Sequence, residues 1–182
     1  MPLPPAHFLV GAGAAELVRG SGQKRWLVWL VGGSFAVLPD VDTALGILLG
    51  RTAEFHGVFT HTPLAVVVFA LLVWLVAGLR WAGIAAAAYT SHLVVDLLEN
   101  RTETSVQPLW PLSEATLRSV AHIFPSVPWR RGEGPEGAAE SLLDPAVLMW
   151  LLAQIAVGLL GFVLCVLLRQ GWHAARRGQS LP

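Results

Sequence analysis

Cysteine is almost missing from this chain. Cys165 is the only one in 182 residues, so no intrachain disulfide can staple the fold and a disulfide-rich scaffold is excluded. Charge is scarce as well: Asp, Glu, Lys and Arg make up 13% of the residues, twelve of each sign. That neutral balance lacks the basic surface a nucleic-acid binder needs, so no nucleic-acid partner is expected. The opening segment also lacks the basic start of a cleavable leader, the first basic residue being Arg19, and it is expected to be retained. Apolar sequence fills the place of charge. Hydrophobic residues form 54% of the chain and mean hydropathy is +0.60, too apolar for an ordinary soluble domain, so residues 1–182 are read as one integral membrane domain whose partner is the lipid bilayer.

The apolar runs predict an all-α fold, a membrane-embedded bundle of about five helices. Ala6 to Val18 and Trp26 to Leu38 form the first two, separated by the polar turn from Arg19 to Arg25; both are shorter than the roughly 20 residues a perpendicular span prefers. Asp42 and Thr43 would cap a short helix through Leu49, ended by Gly50, because glycine tolerates a positive φ there. Thr62 followed by Pro63 is a helix start, and the run from Leu64 to Leu79 is closed by Arg80,. Trp81 to Leu98 is the fourth helix, and Ala146 to Leu168, 23 residues behind Asp144-Pro145, is the clearest span,. Between them, residues 102–144 form an extramembrane loop. Within it Ser113 to Phe124 has a serine cap, Glu114 in its first turn, and Leu117, Val120, Ala121 and Phe124 at helical spacing, which predicts one interfacial amphipathic helix. Residues 169–182 are a basic tail.

Polar clusters interrupt this apolar sequence at three places. Asp40 and Asp42 lie in Pro39-Asp40-Val41-Asp42, His56 and His61 flank Gly57-Val58-Phe59-Thr60, and His92 and Asp96 lie in the fourth helix. Each has an ordinary structural explanation: a proline turn with an aspartate cap, interfacial histidines bonded to carbonyls, a satisfied His–Asp pair. The basic residues, however, gather at the first turn, after the third helix and beyond the fifth, which by the positive-inside rule puts those places in the cytoplasm. Alternate threading then brings all three clusters, with His7, to the opposite face. His92 and Asp96, four residues apart, share one stripe of their helix, and ionisable groups inside a span generally mark function. Imidazole and carboxylate are ligands for zinc, manganese and iron, so a polar metal pocket at one face is expected, with His7, Asp40, Asp42, His56, His61, His92 and Asp96 as ligands.

With these residues placed, the pattern resembles the bacterial inner-membrane metal-dependent hydrolase family, the YdjM-like proteins. The likeness covers roughly residues 5 to 112. It rests on the early His7, the Pro-Asp-x-Asp corner at 39–42, a segment from His56 to Thr62 similar to the family's His-Arg-Gly-x-Thr-His-Ser, the His-Leu-x-x-Asp helix at 92–96, and the Trp110-Pro111 pair. Gly57-Val58 stands where the family has Arg-Gly, and Glu99 where Thr or Ser is common.

The resemblance implies a multi-pass protein of the bacterial inner (plasma) membrane and metal-assisted hydrolysis. Six or seven donors exceed the four that one zinc takes, so one or two divalent ions are expected, zinc or manganese foremost. A carboxylate not used in coordination, Asp42 or Glu99, is the expected proton acceptor. With the site facing outside at headgroup depth and the C-terminus in the cytoplasm, a lipid-linked or phosphoester substrate fits. The alternatives are a non-catalytic metal-binding membrane scaffold and a metal transporter. No feature fixes an oligomeric state.

Overall fold

In the computed structural model, residues 2–51, 59–100, 106, 108–113, 115, 117–128 and 134–178 are described. The chain is all-helical: α1 Pro4–Val18, α2 Arg25–Val37, a 3-10 turn Leu38–Asp40, α3 Val41–Leu48, α4 Pro63–Ala77, α5 Leu79–Leu97, α6 Gly134–Leu142 and α7 Pro145–Gly178. Two stretches, Arg25–Leu48 and Pro145–Arg177, are long and apolar enough to cross a membrane. The shorter α4 buries none of its residues, and Leu64, Val67, Leu72 and Val76 lie open on it. In water such a surface would aggregate; in lipid it is solvated.

Local chemistry sets the ends. Prolines occupy the first turn of α1, where missing N–H groups cost nothing. Pro39 offers no N–H to the carbonyl one turn earlier, and the end of α2 tightens there into the 3-10 turn that carries Asp40,. α3 closes at Gly50, with φ of 65° and hydrogen bonds from Gly50 N to Ile47 O and from Arg51 N to Gly46 O, the glycine stop expected of it. Thr62 caps α4 by accepting from the Ala65 N–H at 3.1 Å.

Packing rests on small residues. α1 lies against α2, α5 and α7, and α5 against α1, α2 and α4. A Cβ on Gly11 would stand 2.2 Å from the Ala36 Cβ, and one on Gly32 would stand 2.3 Å from the Ala15 Cβ. Gly11 with Ala15 and Gly32 with Ala36 therefore interlock as paired small-xxx-small ridges, which is how helices approach closely in lipid, where apolar burial gives no driving force.

Three sequence-based expectations change. α4 ends at Gly78, with φ of 84°, before Arg80, and α5 starts at Leu79; the glycine and not the arginine supplies the turn. Asp42 is not a cap, since the cap residue of α3 is Asp40 and makes no side-chain capping bond. None of the described residues from Ser113 to Phe124 is helical. Their backbones pair across the loop instead: Val120 N donates to Leu97 O, Ile123 N and Phe124 N to Leu98 O, and Leu117 exchanges bonds with Val106. Phe124 then packs with Ala6 and Val95, so the apolar spacing read as a helix face serves an extended segment laid over the end of α5. Among the described residues the helix inside this loop is α6, further along the chain.

Candidate metal centre

His92 and Asp96 stand one turn apart on α5, with Nε2 of the ring 3.2 Å from Asp96 Oδ2. The ring is aimed by its other nitrogen, which lies 2.8 Å from the carbonyl of Ala36. That carbonyl belongs to the last turn of α2, where helix carbonyls lack internal partners. Donating Nδ1–H to it leaves His92 with its lone pair on Nε2.

His61 enters from the turn before α4. Its Nδ1 lies 3.1 Å from Asp42 Oδ2 and 2.8 Å from Thr60 Oγ1. The Thr60 hydroxyl spends its hydrogen on Asp42 Oδ2 at 2.6 Å, so both oxygens accept from the ring. Tyr89, one turn before His92 on α5, holds the same turn by donating to the Thr60 carbonyl at 2.7 Å. The Nε2 of His61 is thus turned inward, 2.9 Å from that of His92 and 3.3 Å from Asp96 Oδ2.

With a hydrogen on each Nδ1, the two rings meet through their Nε2 atoms, an arrangement that a cation between them, a proton or a metal ion, resolves. Asp40 adds to the demand: its Oδ1 lies 3.9 Å from His92 Nε2 and 4.0 Å from His61 Nε2. Among the described residues, none of the four carboxylate oxygens of Asp40 and Asp96 receives a hydrogen bond, although both residues are buried. Buried carboxylates without donors are costly unless paired or coordinated to a metal. His7 completes the group from α1, its ring stacked on His92 at 3.9 Å between centroids and its Nε2 3.4 Å from Asp96 Oδ1.

The spacing fits an ion. Ligands at zinc distances of about 2.0 Å in a tetrahedron lie about 3.3 Å apart, and the His61–His92–Asp96 edges are 2.9, 3.3 and 3.2 Å. Among the described residues two buried triads, His7–His92–Asp96 and Asp40–His61–His92, each bring one donor atom per residue within 4.8 Å of the others.

Of the expected ligands, His7, Asp40, His61, His92 and Asp96 come together. Asp42 lies on the far side of His61, against Nδ1, and belongs to neither triad. Glu99 is buried just beyond α5, paired through its backbone with Phe124, and neither triad includes it. His56 lies outside the described residues. Sequence reading missed Thr60, Tyr89 and the Ala36 carbonyl, which orient the rings; the single tyrosine of the chain, one turn before His92, was the available signal.

A buried His/Asp metal-binding centre at one end of an all-helical membrane protein is the class that fold and site define. The family model described as YdjM inner membrane protein matches residues 1–169, and the chain belongs to that family. No curated protein and no solved structure matches it.

Proposed function

We propose that the chain is a membrane-embedded metal-dependent hydrolase in which His61, His92 and Asp96 hold one divalent ion, zinc or manganese. The opposed Nε2 atoms of His61 and His92, each with its Nδ1 already committed, are the observation that carries the reading. When bound, such an ion supplies Lewis acidity, polarising an ester or phosphoryl oxygen and making water a nucleophile near neutral pH. His92 has one lone pair and serves one ion only. A second ion would be held by His7 and the Oδ1 of Asp96, which lie 3.4 Å apart.

Asp40 is the carboxylate left for proton transfer. It stands back from both rings, at 3.9 and 4.0 Å, and takes the role expected of Asp42 or Glu99, while Asp42 holds the tautomer and direction of His61. All five donors gather where the apolar stretches end, the depth of lipid headgroups, which favours a lipid-linked phosphoester or ester as substrate. The bundle is read as five spans with this end outside and the basic C-terminal tail in the cytoplasm.

The depth of the donors, every one 6% exposed or less, favours a second reading: a non-catalytic scaffold in which bound metal ties α1, the 3-10 turn after α2, α5 and the turn before α4 together. Hydrolysis of chromogenic phosphodiesters and acyl esters by the full chain in lipid nanodiscs separates the two. The hydrolase reading expects turnover that chelation abolishes, and loss of about 10²-fold or more in Asp40→Asn with metal retained. Metal-loaded protein that hydrolyses neither class, yet loses thermal stability on chelation, is the scaffold.

A further inference from the structure

The end of the bundle opposite the His–Asp cluster is strongly basic. Arg19, Lys24, Arg25, Arg80, Arg169, Arg176 and Arg177 lie at the C-terminus of α1, the start of α2, the start of α5 and the far end of α7, with Arg80 reaching Gly20. Among the described residues Glu16 is the one carboxylate there. It is buried and heavily shared: Arg19 donates from Nε at 3.1 Å and from Nη2 at 3.3 Å, and Trp29 Nε1 donates at 2.8 Å. Arg25 stands 3.4 Å and Arg169 3.6 Å from the same carboxylate, and Arg169 also donates to the carbonyls of Glu16 and Arg19. One negative charge thus faces three guanidiniums, and two positive charges remain before the tail is counted.

This excess faces a hollow. Arg19, Ser21, Arg169, His173, Arg176 and Arg177 line about 820 Å³ between the α1–α2 turn and the last turns of α7. A second hollow of about 480 Å³ shares Arg19, Arg169 and His173 and is walled by Leu17, Leu168 and Trp172. All three apolar side chains are exposed, and the guanidinium of Arg176 lies 4.6 Å from the centroid of the Trp172 ring. Cations and hydroxyl therefore sit above an apolar ledge at the end of a membrane-length helix.

We propose that this double hollow binds an anionic phospholipid, its phosphate among the arginines and its acyl chains along Leu17, Leu168 and Trp172. Guanidinium groups match phosphate oxygens in pairs, and basic pockets at the ends of spans take anionic headgroups. A free phosphate would fill the upper hollow and leave the ledge bare; a phospholipid covers both. The proposal does not depend on the metal centre.

Native mass spectrometry of the full chain in neutral detergent, with added phosphatidylglycerol, phosphatidylcholine or inorganic phosphate, tests it. One phosphatidylglycerol per chain is expected to be retained, with phosphatidylcholine retained about ten-fold less. The triple variant His173→Ala, Arg176→Ala, Arg177→Ala leaves the Glu16 network intact, is expected to unfold at the same temperature without lipid, and should lose phosphatidylglycerol about ten-fold. Trp172→Ala should weaken phosphatidylglycerol and leave inorganic phosphate unaffected. Equal retention of the two lipids, undiminished phosphatidylglycerol in the triple variant, or displacement of the lipid by millimolar inorganic phosphate overturns the proposal.

Discussion

Asp42 stands behind His61, its Oδ2 3.1 Å from Nδ1, while the Nε2 of the same ring looks toward His92 and Asp96. A carboxylate in that position fixes tautomer and ring direction and raises the basicity of the coordinating nitrogen. Asp42→Asn is therefore expected to weaken divalent-ion binding by about 10–100-fold without abolishing it, and Asp96→Asn to weaken it further. Competition against a chromophoric chelator measures both, and equal losses in the two variants would place Asp42 among the direct ligands.

α2, whose Ala36 carbonyl holds His92, is packed closely on α1 through Gly11 and Gly32. Gly32→Leu drives a side chain into Ala15, which a Gly32 Cβ would already meet at 2.3 Å, and it is expected to cost about 1–3 kcal/mol and to lower metal content as well. Gly83→Leu, where a Cβ meets nothing within 4 Å, is the control expected to leave both unchanged. Thermal unfolding with metal analysis of the same samples checks the pair.

Gln154 is a buried amide in α7 that accepts from the Leu3 N–H at 2.8 Å and donates to the Pro125 carbonyl at 2.7 Å. It ties Leu3, the residue before α1 and four before His7, to the loop covering α5. Gln154→Leu leaves two backbone groups without their partner and should destabilise the protein by about 1–3 kcal/mol for each, read as a lower unfolding temperature. An unchanged unfolding temperature would mean that neither bond matters to the fold.

Chelation should itself destabilise. Without a cation, the Asp40 and Asp96 carboxylates and the opposed rings are left in mutual contact inside the bundle, and an ion that binds only the folded chain stabilises it by about 2.7 kcal/mol at one hundred times its dissociation constant. The unfolding temperature is expected to fall on chelation and recover on adding zinc or manganese. His61→Ala protein should show both responses clearly weakened.

Much of this architecture was legible because it is local. Thr62-Pro63 and Gly50 act through their own backbones, and the end-by-end convergence of His7, Asp40, His61, His92 and Asp96 follows from helix order alone. What was illegible depends on contacts distant in sequence. Ser113 to Phe124 carries helical spacing, yet its N–H groups find better partners on Leu97 and Leu98, a tertiary choice that periodicity does not encode. Asp42 reads as a ligand or a cap until Thr60 and His61 are seen to claim its carboxylate. Glu16 did carry a sequence signal, a lone acid in an apolar helix ahead of a basic turn, since such a charge needs partners.

Metal content of the detergent-purified chain, measured by elemental analysis in the wild type and in His61→Ala and Asp96→Asn, tests the central claim most directly. The account predicts at least one zinc or manganese per wild-type chain and clearly less in either variant, with the variants still folded. Wild-type protein that holds no stoichiometric metal after exposure to both ions, or folded variants that hold as much as the wild type, would contradict it.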